Sequence, residues 1–331
     1  MPPRLLPIVL AAACTSTHPV QVTVHDAERS EMAGAGLLMN GFNEAGMCHA
    51  MWLTGDGETL FDIDCEPGHR FFRMKPSSDG RDILLASNRD GDGLVPDGFI
   101  LRIPLDGGIP MRTEAPLIHH DFVELPDGIV GWLDYSEFGP YDNCSKGTGP
   151  IKGDVAMDRI KESAFGGTET TVYDMTTDYP RTLNCDVDDE NFLAAQGVYD
   201  FVHSNSIAYR ASDDAYFHMS RWQDAFYKID RATGTFVWEL GGQHNDFTPA
   251  KGQDPAELFN HSHMSEIWDG GMFIFNNNDY GPDAPGPSIV QEYALDETAM
   301  TWELTWQWTS DQGFEALLGD ARRMPQSECD N

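Results

Sequence analysis

Residues 203–242 read HSNSIAYRASDDAYFHMSRWQDAFYKIDRATGTFVWELGG and carry the pattern that repeats along this chain. The stretch starts with a histidine and continues as a short strand, a turn at Asp213-Asp214 and an aliphatic strand, and a further strand pair ends at Val237–Leu240. The same order of histidine, strand, turn and aliphatic strand starts at His49, His120 and His263. Antiparallel strand units repeated in this way are typical of a β-propeller.

The spacing of the repeats sets the expected number of blades. The four histidines are separated by 71, 83 and 60 residues, which is more than the ~40–50 residues of one blade. Long loops, or a blade without a histidine, would account for the excess. We therefore predict an all-β propeller of about six blades, whose last blade is incomplete or is closed by an N-terminal strand near Val20–His25. A pair of β-sandwiches is the alternative, but it does not explain the recurring histidine.

Charge excludes one broad class of partner. The 331 residues include 54 acidic and 21 basic side chains, which gives a formal net charge of −33. Nucleic acids and anionic membrane surfaces are bound through Lys and Arg, so neither is expected as the main partner. The 40% hydrophobic content is that of a folded protein, and the 32 Gly and 20 Pro residues indicate many turns.

The N-terminus predicts export. Residues 1–13 combine one positive charge with a short apolar run and small residues, which is typical of a signal peptide. Cys14 follows directly, so we predict a lipoprotein signal with Cys14 lipidated, and a periplasmic or outer-membrane location. Cleavage by ordinary signal peptidase is the alternative. Residues 20–331 are predicted to form a single propeller domain with an insertion around 136–195.

The other five cysteines are disulfide candidates, because exported proteins meet an oxidising compartment. None of them stands in a CxxC pair, which argues against zinc. Pairing of neighbours gives Cys48–Cys65 and Cys144–Cys185 and leaves Cys329 unpaired, but the connectivity remains open at this stage.

A weak cation motif lies at residues 88–93. Asn88, Asp90 and Asp92 alternate as they do at the start of an EF-hand loop, and Asp97 could add an oxygen. The twelfth position is Phe99 and not Glu, so an exposed hairpin is the alternative. No cofactor is expected to be required, and calcium is the one candidate.

A resemblance to a known family emerges between residues 115 and 280. The segments that carry it are His119-His120-Asp121-Phe122, His203-Ser-Asn205-Ser206-Ile207, Met219-Ser220-Arg221, Tyr227-Lys-Ile-Asp230, Thr233-Gly234, Trp238-Glu-Leu-Gly241-Gly242, Asp246-Phe247, and Phe259 with His263 ahead of Asp269-Gly270 and Phe275-Asn-Asn277. In this order and spacing they resemble the bacterial arylsulfate sulfotransferase family. The resemblance implies a six-bladed propeller that moves a sulfuryl group from an aryl sulfate donor to a phenolic acceptor, without a nucleotide donor.

The resemblance also implies roles for particular residues. His263 would be the nucleophile that is transiently sulfated, and His203 and Arg221 would bind the sulfuryl oxygens. His119 or His120 would complete the pocket, and Asn205 would position the substrate. His261 competes with His263 for the nucleophile role; we favour His263 because it stands six residues before Asp269-Gly270, much as His120 stands seven before Asp127-Gly128.

Two further expectations concern the surroundings of the site. Trp222 and Trp268 could offer aromatic surface to a phenol, although packing between blades is the alternative for both. The alternative function is a non-catalytic exported β-propeller that binds a ligand or protein partner through the same residues, because a fold does not guarantee a chemistry. A membrane would be met only through the lipid anchor.

Overall fold

The computed structural model describes residues 37–42, 48–53, 59–89, 95–135, 139–140, 154–178, 198–242, 244–279, 286–310, 313 and 319–321. Several predicted features lie outside these residues: the signal segment 1–13 with Cys14, the strand near Val20–His25, Asp90 and Asp92 of the calcium loop, and Cys144, Cys185 and Cys329. Those predictions stay as they are.

Strands are the main secondary structure of the described residues. The strands are β1 (Leu37–Phe42), β2 (Cys48–Leu53), β3 (Thr59–Asp64), β4 (Arg70–Pro76), β5 (Asp82–Asn88), β6 (Phe99–Pro104), β7 (Met111–Glu114), β8 (Ile118–Glu124), β9 (Ile129–Tyr135), β10 (Gly139–Pro140), β11 (Asp154–Ala156), β12 (Asp158–Ala164), β13 (Thr170–Asp174), β14 (Val198–Asp200), β15 (Ser204–Arg210), β16 (Ala215–Ser220), β17 (Ala225–Asp230), β18 (Thr235–Gly241), β19 (Thr248–Pro249), β20 (Ser265–Trp268), β21 (Gly271–Asn276), β22 (Ile289–Asp296) and β23 (Thr301–Thr309). Helix α1 spans Met175–Asp178, and 3-10 turns lie at Pro126–Gly128 and Pro255–Glu257. Within the described part of the chain, the helices fall short of the length and apolar character that crossing a membrane requires.

The chain divides into two compact units, of which the first comprises residues 1–119, 164–168 and 323–331. Its described strands form the three-stranded sheet β1-β2-β3 and the four-stranded sheet β4-β5-β6-β7. The predicted Cys48–Cys65 disulfide is present. Both cysteines are buried in an apolar cluster with Phe71, Ile83 and Leu85, so this bridge staples β2 to the end of β3 inside the core.

The second unit comprises residues 120–163 and 169–322. It contains the sheets β13-β12-β9-β8 and β15-β16-β17-β18, and a five-stranded sheet in the order β19-β23-β22-β21-β20. A smaller sheet has the order β10-β11-β14. Four-stranded antiparallel sheets of consecutive strands are the building unit of a β-propeller. The all-β prediction is confirmed, and the number of blades stays a prediction.

The sheet β15–β18 is buried on both faces. Every residue of β16 is buried, and successive side chains of a strand point to opposite faces. Tyr216 accordingly enters one core cluster, with Leu133 and Tyr227, and its neighbour Phe217 enters another, with Phe226. Burial on both faces explains why β16 and β17 lack an alternation of polar and apolar residues.

Part of the predicted insertion around 136–195 is regular sheet. Strands β12 and β13 fall within this stretch and extend the sheet of β8 and β9. Sequence reasoning missed β12 because two cations interrupt its apolar pattern. Arg159 and Lys161 both pair with Asp134, a fully buried carboxylate on β9, so their charges are compensated within the sheet.

A close backbone approach at Gly131 gives a test of this packing. A Cβ at this position would lie 2.7 Å from the ring atom Cε1 of Tyr216, which is fully buried. We expect Gly131→Ala to lower the free energy of unfolding by about 1–3 kcal/mol, because the ring has no space to move into. Urea denaturation beside Ala232→Ser, a change in an exposed turn, measures the effect. An unchanged midpoint in Gly131→Ala would contradict this packing.

Candidate functional site

The candidate site lies where β15 and β20 begin and where β16 and β21 end. Antiparallel pairing places the first residue of one strand opposite the last residue of the next. The backbone N–H of Arg221 therefore donates to the carbonyl of His203 at 3.1 Å, and the N–H of His263 donates to the carbonyl of Phe275 at 2.9 Å. Residues distant in the sequence are brought together at this edge of the sheets.

Three histidines near this edge share an unusual backbone conformation. The φ angles of His120, His203 and His261 are 52°, 51° and 48°, in the left-handed region that side chains other than glycine rarely adopt. His261 thus shares a backbone feature with His120 and His203. The spacing to the next turn instead pairs His263 with His120, and the choice between His261 and His263 stays a prediction.

The rings of these three histidines and one tryptophan form a continuous row. The ring centroids of His120 and His203 are 4.5 Å apart, those of His203 and Trp222 are 5.5 Å apart, and those of Trp222 and His261 are 5.5 Å apart. The Arg221 guanidinium lies over the Trp222 ring, 4.5 Å from its centroid. The row combines a cation, imidazoles and an aromatic face, which suits an aromatic anion.

His263 is held on both its side chain and its main chain. Its Nδ1 lies 2.6 Å from Oδ1 of Asn277, which directly follows β21. The Asn205 side chain donates through Nδ2 to the carbonyl of Ser262 at 2.8 Å. The residues His203 and His263 are each at least nine-tenths buried. An amide oxygen on Nδ1 fixes the tautomer that leaves the lone pair on Nε2.

His261 is held by a different set of partners. Its backbone N–H donates to Oδ1 of Asp224 at 2.6 Å, and its Nδ1 lies 3.2 Å from the same oxygen. Asn260 binds both neighbours, through Oδ1 to the imidazole Nδ1 at 3.1 Å and through Nδ2 to Oδ2 of Asp224 at 3.0 Å. Asp224 is at the turn after Arg221 and Trp222, so one turn supplies three groups of the site.

A buried polar network holds Ser204, the first residue of β15. The N–H of Ser204 donates to Oδ2 of Asp158 at 2.6 Å, and the hydroxyl of Ser204 is 2.9 Å from Nδ1 of His218. Complete burial lowers the pKa of His218 to about 4, although the charge of Asp158 opposes the shift. His218 is therefore neutral at physiological pH and has a structural role. It stacks on Tyr227 with a centroid distance of 4.8 Å.

A cavity of about 330 Å³ opens beside Asp224 and Asn260. It is lined by these two residues, by Gly241, Gly242 and Asn245, and by the apolar residues Pro255, Ala256, Leu258 and Phe259. Glu239 packs directly behind Gly242. Burial raises the pKa of the Glu239 carboxyl to about 7, opposed by a hydrogen bond from the backbone of His244.

Trp268 is another predicted site residue. It ends β20, where its carbonyl faces Arg210 and its indole packs over Gly271. A strand advances ~3.3 Å per residue, so five residues carry Trp268 away from His263, and packing within its own hairpin explains it. His119 is fully buried and precedes His120 on β8.

The two calcium candidates among the described residues, Asn88 and Asp97, have protein partners. Asn88 donates to the carbonyl of Ile118 at 3.1 Å, and Asp97 pairs with Arg89 at 2.8 Å. In the described residues, no cluster of three His, Cys, Asp or Glu side chains could hold a metal ion.

Sequence reasoning missed three polar residues that hold the histidines. Asn277 ends one of the segments that resemble the family, but nothing in that segment indicates a contact with His263. Asp224 binds His261 from a turn that lies 37 residues earlier in the chain, and Asn260 binds it from the adjacent position. The only sequence signal was that Asp224 follows Arg221-Trp222 closely.

The raised pKa of Glu239 predicts how stability depends on pH. The folded state keeps this carboxyl protonated up to about pH 7, whereas the unfolded chain ionises near its ordinary value of 4.5. Stability should therefore fall as pH rises from 4.5 to 7 and change no further through this group. Glu239→Gln should remove this fall. At pH 8 its free energy of unfolding should be about 2–3 kcal/mol higher than that of the parent. Urea midpoints at pH 5 and pH 8, with the exposed Glu303→Gln as control, test this; a parallel fall in Glu239→Gln would contradict it.

The chain is similar to one protein family and to several solved structures. A family model described as Arylsulfotransferase (ASST) matches residues 109–317. No curated protein gives a significant match. Solved structures that are similar include a hypothetical selenium-binding protein from Sulfolobus tokodaii, with TM-score 0.53 and 12% identity over 88% of this chain and 69% of that one. They also include a protein of unknown function from Bacteroides caccae (TM-score 0.49, 13% identity, 85% and 84% covered) and the β-propeller domain of Myceliophteria thermophila Cps50 (Swd1) (TM-score 0.48, 9% identity, 84% and 70% covered). At such identities the likeness concerns the fold alone.

Proposed function

The chain belongs to the arylsulfotransferase family, and we propose that it moves a sulfuryl group from an aryl sulfate to a phenol through a sulfated His263. The observation that carries the proposal is the bond between His263 Nδ1 and Asn277 Oδ1, 2.6 Å long. It orients a nearly buried imidazole so that Nε2 carries the lone pair. A neutral imidazole with a defined basic nitrogen is an effective nucleophile near pH 7.

Charge stabilisation would come from other groups at the same edge of the sheets. The sulfuryl oxygens of the transition state carry negative charge, and Arg221 and His203 offer donors for them. Arg221 is 6% exposed, and its attraction for an anion is strengthened by this exclusion of water. A local positive site is needed because the protein carries a formal net charge of −33, which would repel an anionic donor.

The reaction divides into two balanced steps. In the first, the Nε2 lone pair of His263 attacks sulfur, an N–S bond forms, and the bond from sulfur to the aryl oxygen breaks. The released aryloxide takes up a proton. In the second, the hydroxyl oxygen of the acceptor phenol attacks the same sulfur and gives up its proton, and the N–S bond breaks to restore His263.

We assign binding of the substrate's aromatic ring to the row formed by His120, His203, Trp222 and His261. Trp222 lies between His203 and His261, and its buried indole N–H donates to none of the described residues. A phenol ring stacked along this row would place its oxygen near the imidazoles.

We also propose that the protein works outside the cytoplasm, as its N-terminal residues suggest.

Removal of the nucleophile gives the first test of the activity. With 4-nitrophenyl sulfate and no acceptor, the parent should release a burst of one 4-nitrophenol per protein molecule as His263 becomes sulfated. We expect His263→Ala to lose the burst and to slow turnover with a phenol acceptor by about 10³-fold or more. Stopped-flow absorbance measures the burst, and His244→Ala, in an exposed loop, is the matched control. A folded parent without any release would instead support the non-catalytic binding function.

The orienting bond can be tested separately. Asn277→Ala leaves His263 in place but removes the acceptor on Nδ1, so the tautomer and ring orientation are no longer fixed. We expect the burst rate to fall about 10–100-fold, while the burst amplitude stays at one equivalent. An unchanged rate would remove the bond from the mechanism.

A further inference from the structure

We propose that His261 and Asp224 form a proton-transfer dyad, in which His261 is the general acid and base of sulfuryl transfer and Asp224 is its positioning residue. This inference rests on the proposed function. It assigns a separate role to the histidine that sequence reasoning treated only as a rival nucleophile.

The contacts around His261 determine how its protons are placed. One oxygen of Asp224 accepts the backbone N–H of His261 at 2.6 Å and faces its Nδ1 at 3.2 Å. Asn260 closes the arrangement by bonding to both side chains. The ring is thereby held with N–H at Nδ1, and its Nε2 forms no hydrogen bond with the described residues. A basic nitrogen on an oriented ring is what a proton acceptor requires.

The partners of His261 and His263 differ in one decisive respect. Nδ1 of His261 faces a carboxylate, which is the arrangement found in histidines that transfer protons. Nδ1 of His263 faces the neutral amide of Asn277. Two histidines separated by a single residue thus have different partners, which suit different tasks: His263 to attack sulfur, and His261 to transfer the proton.

The position of His261 fits this task. It stands at the end of the ring row, with Trp222 between it and His203. Its side chain is 22% exposed and that of Asp224 is 32% exposed, so the proton can exchange with solvent between turnovers. The more buried His203 and Arg221 are better placed to hold the sulfuryl oxygens in a site from which water is excluded.

In each step a proton moves between His261 and the phenol oxygen. As His263 Nε2 forms its bond to sulfur and the bond from sulfur to oxygen breaks, the Nε2–H of the His261 imidazolium protonates the departing aryloxide. Neutral His261 next accepts the proton of the acceptor phenol as that oxygen attacks sulfur and the N–S bond breaks. Each turnover returns both histidines to their starting forms, and no other reactant is needed.

The experiment measures the first step alone across donors with leaving groups of different basicity. Single-turnover release is followed for 4-nitrophenyl sulfate, whose phenol leaves without help, and for phenyl sulfate, whose phenol needs protonation. We expect His261→Asn to lose less than about 3-fold on the first donor and about 10²–10⁴-fold on the second. Asn suits the left-handed backbone at this position. Asp224→Asn should show the same selectivity with a smaller loss, and His244→Asn is the control.

The possible results separate the two proposals. A loss that is equal for both donors, or no loss for either, would overturn the role of His261 while the burst of the parent still supports sulfuryl transfer. A parent that releases no phenol from either donor would overturn both proposals. Should His261→Asn fail to fold, as shown by circular dichroism, His261→Gln and Asp224→Asn give the same comparison of donors.

Discussion

The hydrogen bond from the Asn205 amide to the carbonyl of Ser262 is the constraint on which the site depends. It spans 57 residues of sequence and is buried, so it joins the start of β15 to the segment that carries both His261 and His263. The hydroxyl of Ser206 on β15 also lies 2.8 Å from that of Ser265, the first residue of β20. Because the two strand starts are joined at two points, the histidines before them are held in a fixed relation.

The strands could be predicted where they bury apolar side chains, because these strands stand out in the sequence as short apolar runs. Short apolar runs of the sequence such as Ala225–Ile229 and Met272–Asn276 coincide with β17 and β21 to within about one residue at each end. Strand β12 was missed because its charges are satisfied by Asp134, a partner that only the folded structure reveals. Pattern reasoning works for elements that bury apolar side chains, and it fails where a buried ion pair replaces them.

The site could be predicted in part for a related reason. The repeat pointed to His120 and His203, and their rings do meet. Counting residues to the next turn cannot detect the left-handed conformation that His261 shares with His120 and His203. It also placed Trp268 near the substrate, although an extended strand carries that residue to the other end of β20. The partners Asp224 and Asn277 are fixed by strand pairing, which no local pattern records.

The contrast between an amide and a carboxylate partner is what separates the two neighbouring histidines. The most direct test of the central claim is therefore to find which one carries the sulfuryl group. The parent is mixed with an aryl sulfate without acceptor, quenched in alkali and digested, and the peptide spanning both histidines is sequenced by mass spectrometry. The account predicts one sulfuryl group on His263; a sulfuryl group on His261, or phenol release with neither histidine modified, would contradict it.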